Sequence, residues 1–219
     1  MIIAERKPIE DIRRMVEGHD RVLVLGCGTC VAVCMAGGEK EVAILASALR
    51  MAEPEKEFKE ATIERQCERE FIEEVRTTSD GYDLILSLAC GAGVGFTAEL
   101  LEEHRVVPGL NTKSIGVAEQ PGNWSERCLA CGECVLDLTG AVCPIARCSK
   151  SLLNGPCGGS QDGMCEIDPK NVQCGWQIIY DRLAKLGRLD LMEENRPPKD
   201  WSAAHAGGPR RVLREDAEP

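Results

Sequence analysis

The chain has 219 residues, of which 43% are hydrophobic and 28% charged, a balance typical of globular proteins with one large domain or two small ones. Asp and Glu (36) outnumber Lys and Arg (26), and the net charge of −10 argues against binding to nucleic acid or anionic membranes. No apolar stretch approaches the roughly 20 residues that span a bilayer, and early charges argue against a secretory signal. We therefore expect a cytoplasmic protein.

Residues 1–120 alternate between strand and helix patterns, which predicts an α/β domain with a small doubly wound, Rossmann-like parallel sheet. Two short apolar runs, Arg21–Leu25 and Asp83–Ala89, have the composition of strands that are buried on both faces. Weaker strand patterns cover Glu60–Gln66, Arg105–Val107 and Ser114–Val117. The spacing of apolar residues predicts helices that begin at Pro8 and that cover 39–52, 69–78 and 96–104.

The turn Glu119–Asn123 predicts a domain boundary, and a second domain is predicted over 121–190. Eight of the thirteen cysteines lie within 124–174, where apolar residues are few. Such a segment cannot build a core of its own, so we expect metal to organise it. A helical pattern returns over 175–190. Residues 191–219 form a Pro-rich tail that we expect to be extended, and either disordered, folded back on the chain or docked on a partner.

Thirteen cysteines in a cytoplasmic chain indicate metal binding, because disulfides are rare in reducing compartments. An odd number also leaves one thiol over in any disulfide scheme. The three histidines, His19, His104 and His205, lie outside the cysteine groups, which disfavours zinc sites of the mixed cysteine–histidine class. All-thiolate sites remain, meaning iron–sulfur clusters or zinc held by four cysteines.

The first cysteine group has five members: Cys27, Cys30, Cys34, Cys67 and Cys90. Cys27 and Cys90 follow the two predicted core strands, and the carboxyl ends of parallel strands gather at one edge of the sheet, at the topological switch point. A [4Fe–4S] cluster takes four thiolates. We favour Cys27, Cys30, Cys67 and Cys90, with Cys34 one helical turn further along, either near the cluster or in the core.

The glycines of the same region, Gly26 and Gly28, are expected to let the backbone pass close to a cluster and to leave N–H groups free for its sulfides.

Three alternatives to a cluster on the first cysteine group stay open. Cys34, Cys67 and Cys90 could be small core hydrophobes. Cys27 and Cys30 could form a thioredoxin-like pair, which leaves the other strand-end cysteines unexplained. Independent NAD or FAD binding is disfavoured, because both candidate glycine motifs lack their third glycine.

The second cysteine group has eight members: Cys128, Cys131, Cys134, Cys143, Cys148, Cys157, Cys165 and Cys174. Its first three follow a Cys-x2-Cys-x2-Cys run and Cys143 precedes a proline, as in bacterial ferredoxins, although the gap before Cys143 is longer here. Eight thiolates make two sets of four, which suits two clusters, or one cluster and a zinc ion. We predict at least one [4Fe–4S] cluster here, with zinc as the alternative metal and the pairing open.

Several segments together resemble one protein family. In the cysteine-rich region they are Cys128-Leu-Ala-Cys-Gly-Glu-Cys134, Thr139-Gly-Ala-Val-Cys143-Pro144, Cys148–Gly159 with its Asn154-Gly-Pro-Cys-Gly-Gly element, and Arg196-Pro-Pro-Lys-Asp-Trp201. Nearer the start they are Gly26–Cys30, Ala36–Lys40 and Leu88–Gly91. The family is that of the MetV proteins, the small iron–sulfur subunits of bacterial methylenetetrahydrofolate reductases of the MetV–MetF type.

The resemblance implies an electron carrier in folate one-carbon metabolism, in the methyl branch of the Wood–Ljungdahl pathway. At least two [4Fe–4S] clusters would pass electrons to or from the flavin of a MetF-like subunit, which reduces methylenetetrahydrofolate. Ferredoxin or a further electron-input subunit is the implied donor. The chain itself shows no flavin site and no acid–base constellation, so we expect a non-catalytic electron-transfer subunit of a heteromeric oxidoreductase. The alternative is a structural, zinc-binding accessory subunit of the same complex.

Overall fold

The computed structural model describes residues 1–212 and 214 and has a mixed α/β fold, as the sequence predicts. The chain divides into two compact units, Met1–Ser125 and Glu126–Pro219. Within the described residues, no helix has the length and apolar character needed to span a bilayer.

The first unit alternates strands with helices. Its strands are β1 (Ile2–Arg6), β2 (Arg21–Cys27), β3 (Glu57–Ile63), β4 (Leu84–Leu88), β5 (Arg105–Pro108) and β6 (Leu110–Gln120), and β7 (Asn123–Cys128) begins in it and ends in the second unit. Its helices are α1 (Ile9–Val16), α2 (Cys30–Val33), α3 (Glu39–Ala52), α4 (Arg69–Ser79) and α5 (Gly91–Leu100). Four strands form a parallel sheet in the order β3-β2-β4-β5, and a second sheet has the order β1-β6-β7, in which β1 and β6 run antiparallel.

Helices cover both faces of the parallel sheet. Val22 and Val24 of β2 share one core with buried side chains of α1 and α3, whereas Leu23 and Leu25 share a second core with buried side chains of α4 and partly buried ones of α5. Because both faces are buried, the central strands have nearly unbroken apolar sequences rather than alternating ones. The doubly wound arrangement that the sequence predicts is therefore present.

Some elements differ from the predictions. The helix predicted over 96–104 is α5, which begins at Gly91 and ends at Leu100. Glycines near the start of α5 hid the beginning of this helix from the sequence pattern. Packing nevertheless requires one of them, since a Cβ on Gly93 would lie 2.8 Å from the Cβ of Ala89. β1 was not predicted, and the strand expected at Ser114–Val117 lies inside β6, in the second sheet.

The turn at Glu119–Asn123 joins two strands of one sheet, β6 and β7. Gly122 has a φ of +83°, a left-handed conformation that glycine adopts without steric cost. The two compact units divide later, after Ser125. The turn connects two strands of the second sheet, and the division into units lies a few residues after the expected boundary.

The second unit has little regular structure. Its elements are α6 (Pro144–Arg147), β8 (Met164–Cys165), β9 (Asp168–Gln173) and α7 (Gly175–Leu186), together with short 3-10 turns. Trp176, Ile179 and Leu183 of α7 form its buried core with Cys174. α7 ends at Gly187, whose φ of +64° closes the helix in the left-handed conformation. The cysteine-rich segment has few apolar residues, so the amphipathic helix α7 supplies most of the apolar core of the second unit.

The described part of the tail lies against its own unit. Asn154 and Arg196 exchange two hydrogen bonds, from the Arg196 N–H to Oδ1 and from Nδ2 to the Arg196 carbonyl, each 2.9 Å long. The Arg196 guanidinium also donates to the carbonyl oxygens of Leu153 (2.7 Å) and Leu138 (3.0 Å). This packing matches the expectation that the tail folds back on the chain, and docking on a partner stays a prediction. Residues 213 and 215–219 of the predicted tail lie outside the described residues.

Arg196→Ala should release the tail, because it removes the donors to two backbone carbonyls. Limited proteolysis of the anoxically purified chain with thermolysin should then cut within 189–212 faster than in the wild type. The matched control is Arg188→Ala, which removes an exposed ion pair with Asp190 that is expected to add little. Equal cleavage rates for the two variants would mean that Arg196 does not anchor the tail.

Candidate metal centres

The first cysteine group lies where β2 and β4 end side by side. The chain leaves β2 towards β3 and leaves β4 towards β5, in opposite directions across the sheet, so the topological switch point falls between them. Cys27 is the last residue of β2, and Cys90 follows β4 as the N-cap of α5. Both cysteines therefore reach the same edge of the sheet, as the strand pattern predicts.

Cys67 is electrostatically coupled to three other cysteines. Partial burial is the largest of the effects that raise the pKa of the Cys67 thiol, although the residue as a whole is exposed. Negative charge on Cys27, Cys90 and Cys30 raises that pKa further, because like charges nearby disfavour ionisation. The structure thus brings four thiols into one neighbourhood: Cys27, Cys30, Cys67 and Cys90.

Cys34 is adjacent to Cys30, but it is not among the cysteines that act on Cys67. It is buried, with 5% of its surface exposed, in the core of the first unit. Its thiol donates to the carbonyl oxygens of Ile2 and Cys30, each 3.2 Å away. Burial is the main reason that the pKa of this thiol is raised, and negative charge on Cys30 helps to raise it. Its position fits a core residue better than a ligand.

A buried glutamine supports the coupled cysteines. Gln66 is fully buried, and its Nε2 donates to the carbonyl oxygens of Leu25 (2.9 Å) and Gly26 (3.0 Å) at the end of β2. Its Oε1 accepts hydrogen bonds from Ser87 of β4 (2.6 Å) and Thr97 of α5 (3.3 Å). One side chain therefore ties β2, β4 and α5 to the loop that carries the next residue, Cys67. Sequence reasoning missed Gln66.

The expectation for Gly28 was wrong. Its N–H is not free for a cluster, because it donates to the carbonyl oxygens of Ile63 (2.9 Å) and Glu64 (3.1 Å). Gly26 is also needed for packing, since a Cβ there would lie 2.5 Å from the Oγ1 of Thr62. These glycines let β2 approach β3 closely.

Four cysteines of the second group surround one cavity of about 270 Å³: Cys128, Cys131, Cys134 and Cys143. Apolar residues, among them Leu136 and Ile145, complete the lining. Backbone N–H groups already point at two sulfurs, from Ala130 to the Sγ of Cys128 (3.3 Å) and from Ala146 to that of Cys143 (3.4 Å). Such donors stabilise thiolates, so this set is suited to bind metal.

The tail packs against the loop that carries this set. The side chain of Lys199 is almost wholly buried, and its ammonium donates to the Glu133 carbonyl at 3.1 Å. Gly132 has a φ of +86°, and a Cβ there would lie 2.0 Å from the carbonyl oxygen of Ala203. The tail therefore holds the loop between Cys131 and Cys134 in place.

The other four cysteines line a second, much smaller cavity: Cys148, Cys157, Cys165 and Cys174. The Cys157 thiol donates to Oε1 of Glu166 at 3.4 Å, and Glu166 pairs with Lys150. The hydroxyl of Ser149 lies 3.4 Å from the Sγ of Cys165, and this hydrogen bond is the main reason that the pKa of Cys165 is lowered. With Cys34, the three sets of four account for all thirteen cysteines.

Among the described residues, one group holds three potential ligand atoms close enough for a single metal ion, and it contains no cysteine. Ligand atoms of Asp80, Glu103 and His104 lie within 4.8 Å of one another. Arg76 already pairs with Glu103 at 3.2 Å, and its positive charge also interacts with Asp80. Arg76 also pairs with Glu73 at 2.7 Å, so one guanidinium links several carboxylates, and we interpret this cluster as an ion-pair network.

Residues 107–202 match a protein-family model described as the C-terminal region of methylene-tetrahydrofolate reductase. The matched segment includes the entire second cysteine group, and the first group lies outside it. Comparisons with curated proteins and with solved structures found no match. The chain therefore carries a region related to methylenetetrahydrofolate reductases.

Gln66→Leu should lower the free energy of unfolding of the first unit by roughly 2–4 kcal/mol, because it leaves buried carbonyls and hydroxyls without partners. Urea unfolding under anoxic conditions measures this loss. Gln120→Leu is the matched control, because Gln120 is exposed at the end of β6. Equal midpoints for both variants would mean that the buried network contributes nothing to the stability of this sheet edge.

Proposed function

We propose that the chain is the electron-transferring iron–sulfur subunit, of the MetV type, of a methylenetetrahydrofolate reductase complex. One observation carries the proposal: a region related to these reductases lies in a chain whose cysteines fall into sets of four. Sets of four thiolates are what [4Fe–4S] clusters require. A thioredoxin-like pair would need only Cys27 and Cys30. It would not explain why Cys67 and Cys90 lie near enough for their charges to interact.

The residues around the first set suit a cluster. Cys27, Cys30, Cys67 and Cys90 supply four thiolates, and Cys90 caps α5, whose macrodipole favours negative charge at its N-terminus. Gln66 fixes the strand ends that carry two of these ligands. Bound clusters supply one-electron transfer, which amino-acid side chains do not provide at ordinary potentials.

The folate chemistry is assigned to a partner. We propose a MetF-like flavin subunit, with ferredoxin or a further electron-input subunit as the donor, and assembly in the cytoplasm, where thiols stay reduced. In this complex, the chain itself would hold the clusters and bring them close to the flavin. The exposed Trp201 on the tail is a candidate contact, since aromatic residues are enriched at protein interfaces.

Cys27→Ala and Cys90→Ala should each abolish one [4Fe–4S] signal in electron paramagnetic resonance spectra of the dithionite-reduced chain, because each removes a ligand of the first set. Iron content should fall by about four per chain. Cys34→Ala is the matched control and should keep both signal and iron. If Cys34→Ala loses the signal, or if the other two variants keep it, the ligand assignment fails.

The subunit role is tested by mixing the chain with a MetF-like flavin subunit under anoxic conditions. Size-exclusion chromatography should give a heteromer for both the wild type and Cys27→Ala. Methylenetetrahydrofolate reduction driven by reduced ferredoxin should fall in the variant to the level of the flavin subunit alone. An unchanged rate would reduce the chain to a docking role, and the absence of a heteromer would contradict the proposal.

A further inference from the structure

Lys199 is a buried cation in a tail whose neighbouring residues, Pro198 and Asp200, are exposed. Only 2% of its side chain is exposed, and lysine is seldom buried to this degree, because removing its charge from water is costly. The carboxylate paired with it, that of Glu133, is 3.4 Å away and is itself 63% exposed. Solvent screens an exposed carboxylate, so this ion pair offsets little of the cost. The buried charge therefore indicates a further negative group nearby.

One backbone oxygen links the Lys199 ammonium to the second cysteine group. The carbonyl oxygen of Glu133 accepts a hydrogen bond from Nζ of Lys199 at 3.1 Å. The same oxygen accepts one from the thiol of Cys131, whose Sγ is 3.5 Å away. Metal binds the thiolate, which has no proton to donate and instead faces the lone pairs of this oxygen. The ammonium on the same oxygen is then placed to offset the negative charge of Cys131.

The position of the ammonium is fixed by the tail around it. The Oδ1 of Asp200 accepts a hydrogen bond from the Ser202 N–H at 2.8 Å, which starts a 3-10 turn directly after Lys199. The end of that turn packs against Gly132 through the Ala203 carbonyl. Lysine side chains usually extend their charge into water, and this one is held beside the cysteine loop instead.

The cavity next to this loop strengthens charge interactions. Cys131 lines it together with Cys128, Cys134 and Cys143, and apolar side chains such as Leu136 complete the lining. Charges interact more strongly across apolar surroundings than across water, because the dielectric screening is weaker. A fixed cation at this place would therefore act on the net charge of whatever the four thiolates hold.

We propose that Lys199 tunes the reduction potential of a [4Fe–4S] cluster bound by Cys128, Cys131, Cys134 and Cys143. This inference rests on the proposed function and deepens it. A cluster on four thiolates gains one negative charge when it takes an electron from the proposed donor, and no bond forms or breaks at Lys199. A nearby positive charge stabilises the reduced form, so Lys199 raises the potential of this cluster and makes it the better electron acceptor.

A redox titration of the anoxically purified full chain, followed by electron paramagnetic resonance, tests the proposal. The relevant signal is the one that Cys134→Ala abolishes. Lys199→Met removes the charge and keeps the length of the side chain, so it should shift the midpoint of that signal to a lower potential. Lys199→Arg keeps the charge and should restore most of the wild-type value. Lys185→Met, the matched control, removes an exposed lysine of α7 and should leave the midpoint unchanged.

A second variant keeps the test decisive if Lys199→Met fails to fold. Glu133→Gln retains the backbone carbonyl and removes only the exposed carboxylate. The same midpoint should then shift upward, by less than Lys199→Met lowers it, because solvent screens an exposed charge. Both variants break the ion pair between Lys199 and Glu133. A residue that only anchors the tail would therefore give shifts of one sign in both variants, or none.

Equal midpoints for the wild type and Lys199→Met, or a downward shift in Glu133→Gln, would overturn the role of Lys199 and leave the electron-transfer function standing. If Cys134→Ala loses no iron, its set holds no cluster and the tuning role falls, although the signal lost in Cys27→Ala would still support electron transfer. A chain that binds no iron at all would instead refute the proposed function, so the failures can be told apart.

Discussion

The first cysteine site depends on how β2 and β4 end next to each other. Parallel strands with oppositely directed connections leave an open edge at their carboxyl ends, and here that edge carries Cys27 and Cys90. Gln66 maintains the edge by bonding to the backbone of one strand and to a side chain of the other. A buried polar group must have its hydrogen bonds satisfied, so this side chain also fixes the position of its neighbour, Cys67.

The second unit is stabilised in a different way. Its apolar core is confined largely to α7, and the rest of the unit is loops, short turns and a short hairpin. Cysteines occur where those segments begin or end, so metal bound as we propose would couple its ligation to the folding of the unit. The tail contributes through Arg196 and Lys199, whose donors satisfy loop carbonyls near both cysteine sets.

Much of the first unit could be predicted because its core strands are buried on both faces and therefore read as unbroken apolar runs. The position of Cys27 and Cys90 followed from that pattern. β1 could not be predicted, because its five residues form a strand only by pairing with β6 at the far end of the unit. The glycines of α5 lowered its helical signal, although the fold requires Gly93 for close packing.

The positions of side chains were harder to predict from the sequence than the strands and helices. Spacing alone cannot decide whether Cys34 turns to the sheet edge or to the core, and no pattern distinguishes a buried glutamine such as Gln66 from a solvated one. The pairing of the eight later cysteines depends on which loops enclose a common space. That is a property of the folded chain, in which the eight cysteines line two separate cavities, four in each.

We propose that this chain transfers electrons to a flavin. The most direct measurement is anoxic stopped-flow absorbance after mixing the chain, reduced with dithionite and freed of excess reductant, with an oxidised MetF-like flavin subunit. If the chain transfers electrons to the flavin, the flavin absorbance bleaches while the cluster absorbance returns to that of the oxidised state. A flavin that stays oxidised beside a chain that stays reduced would contradict it.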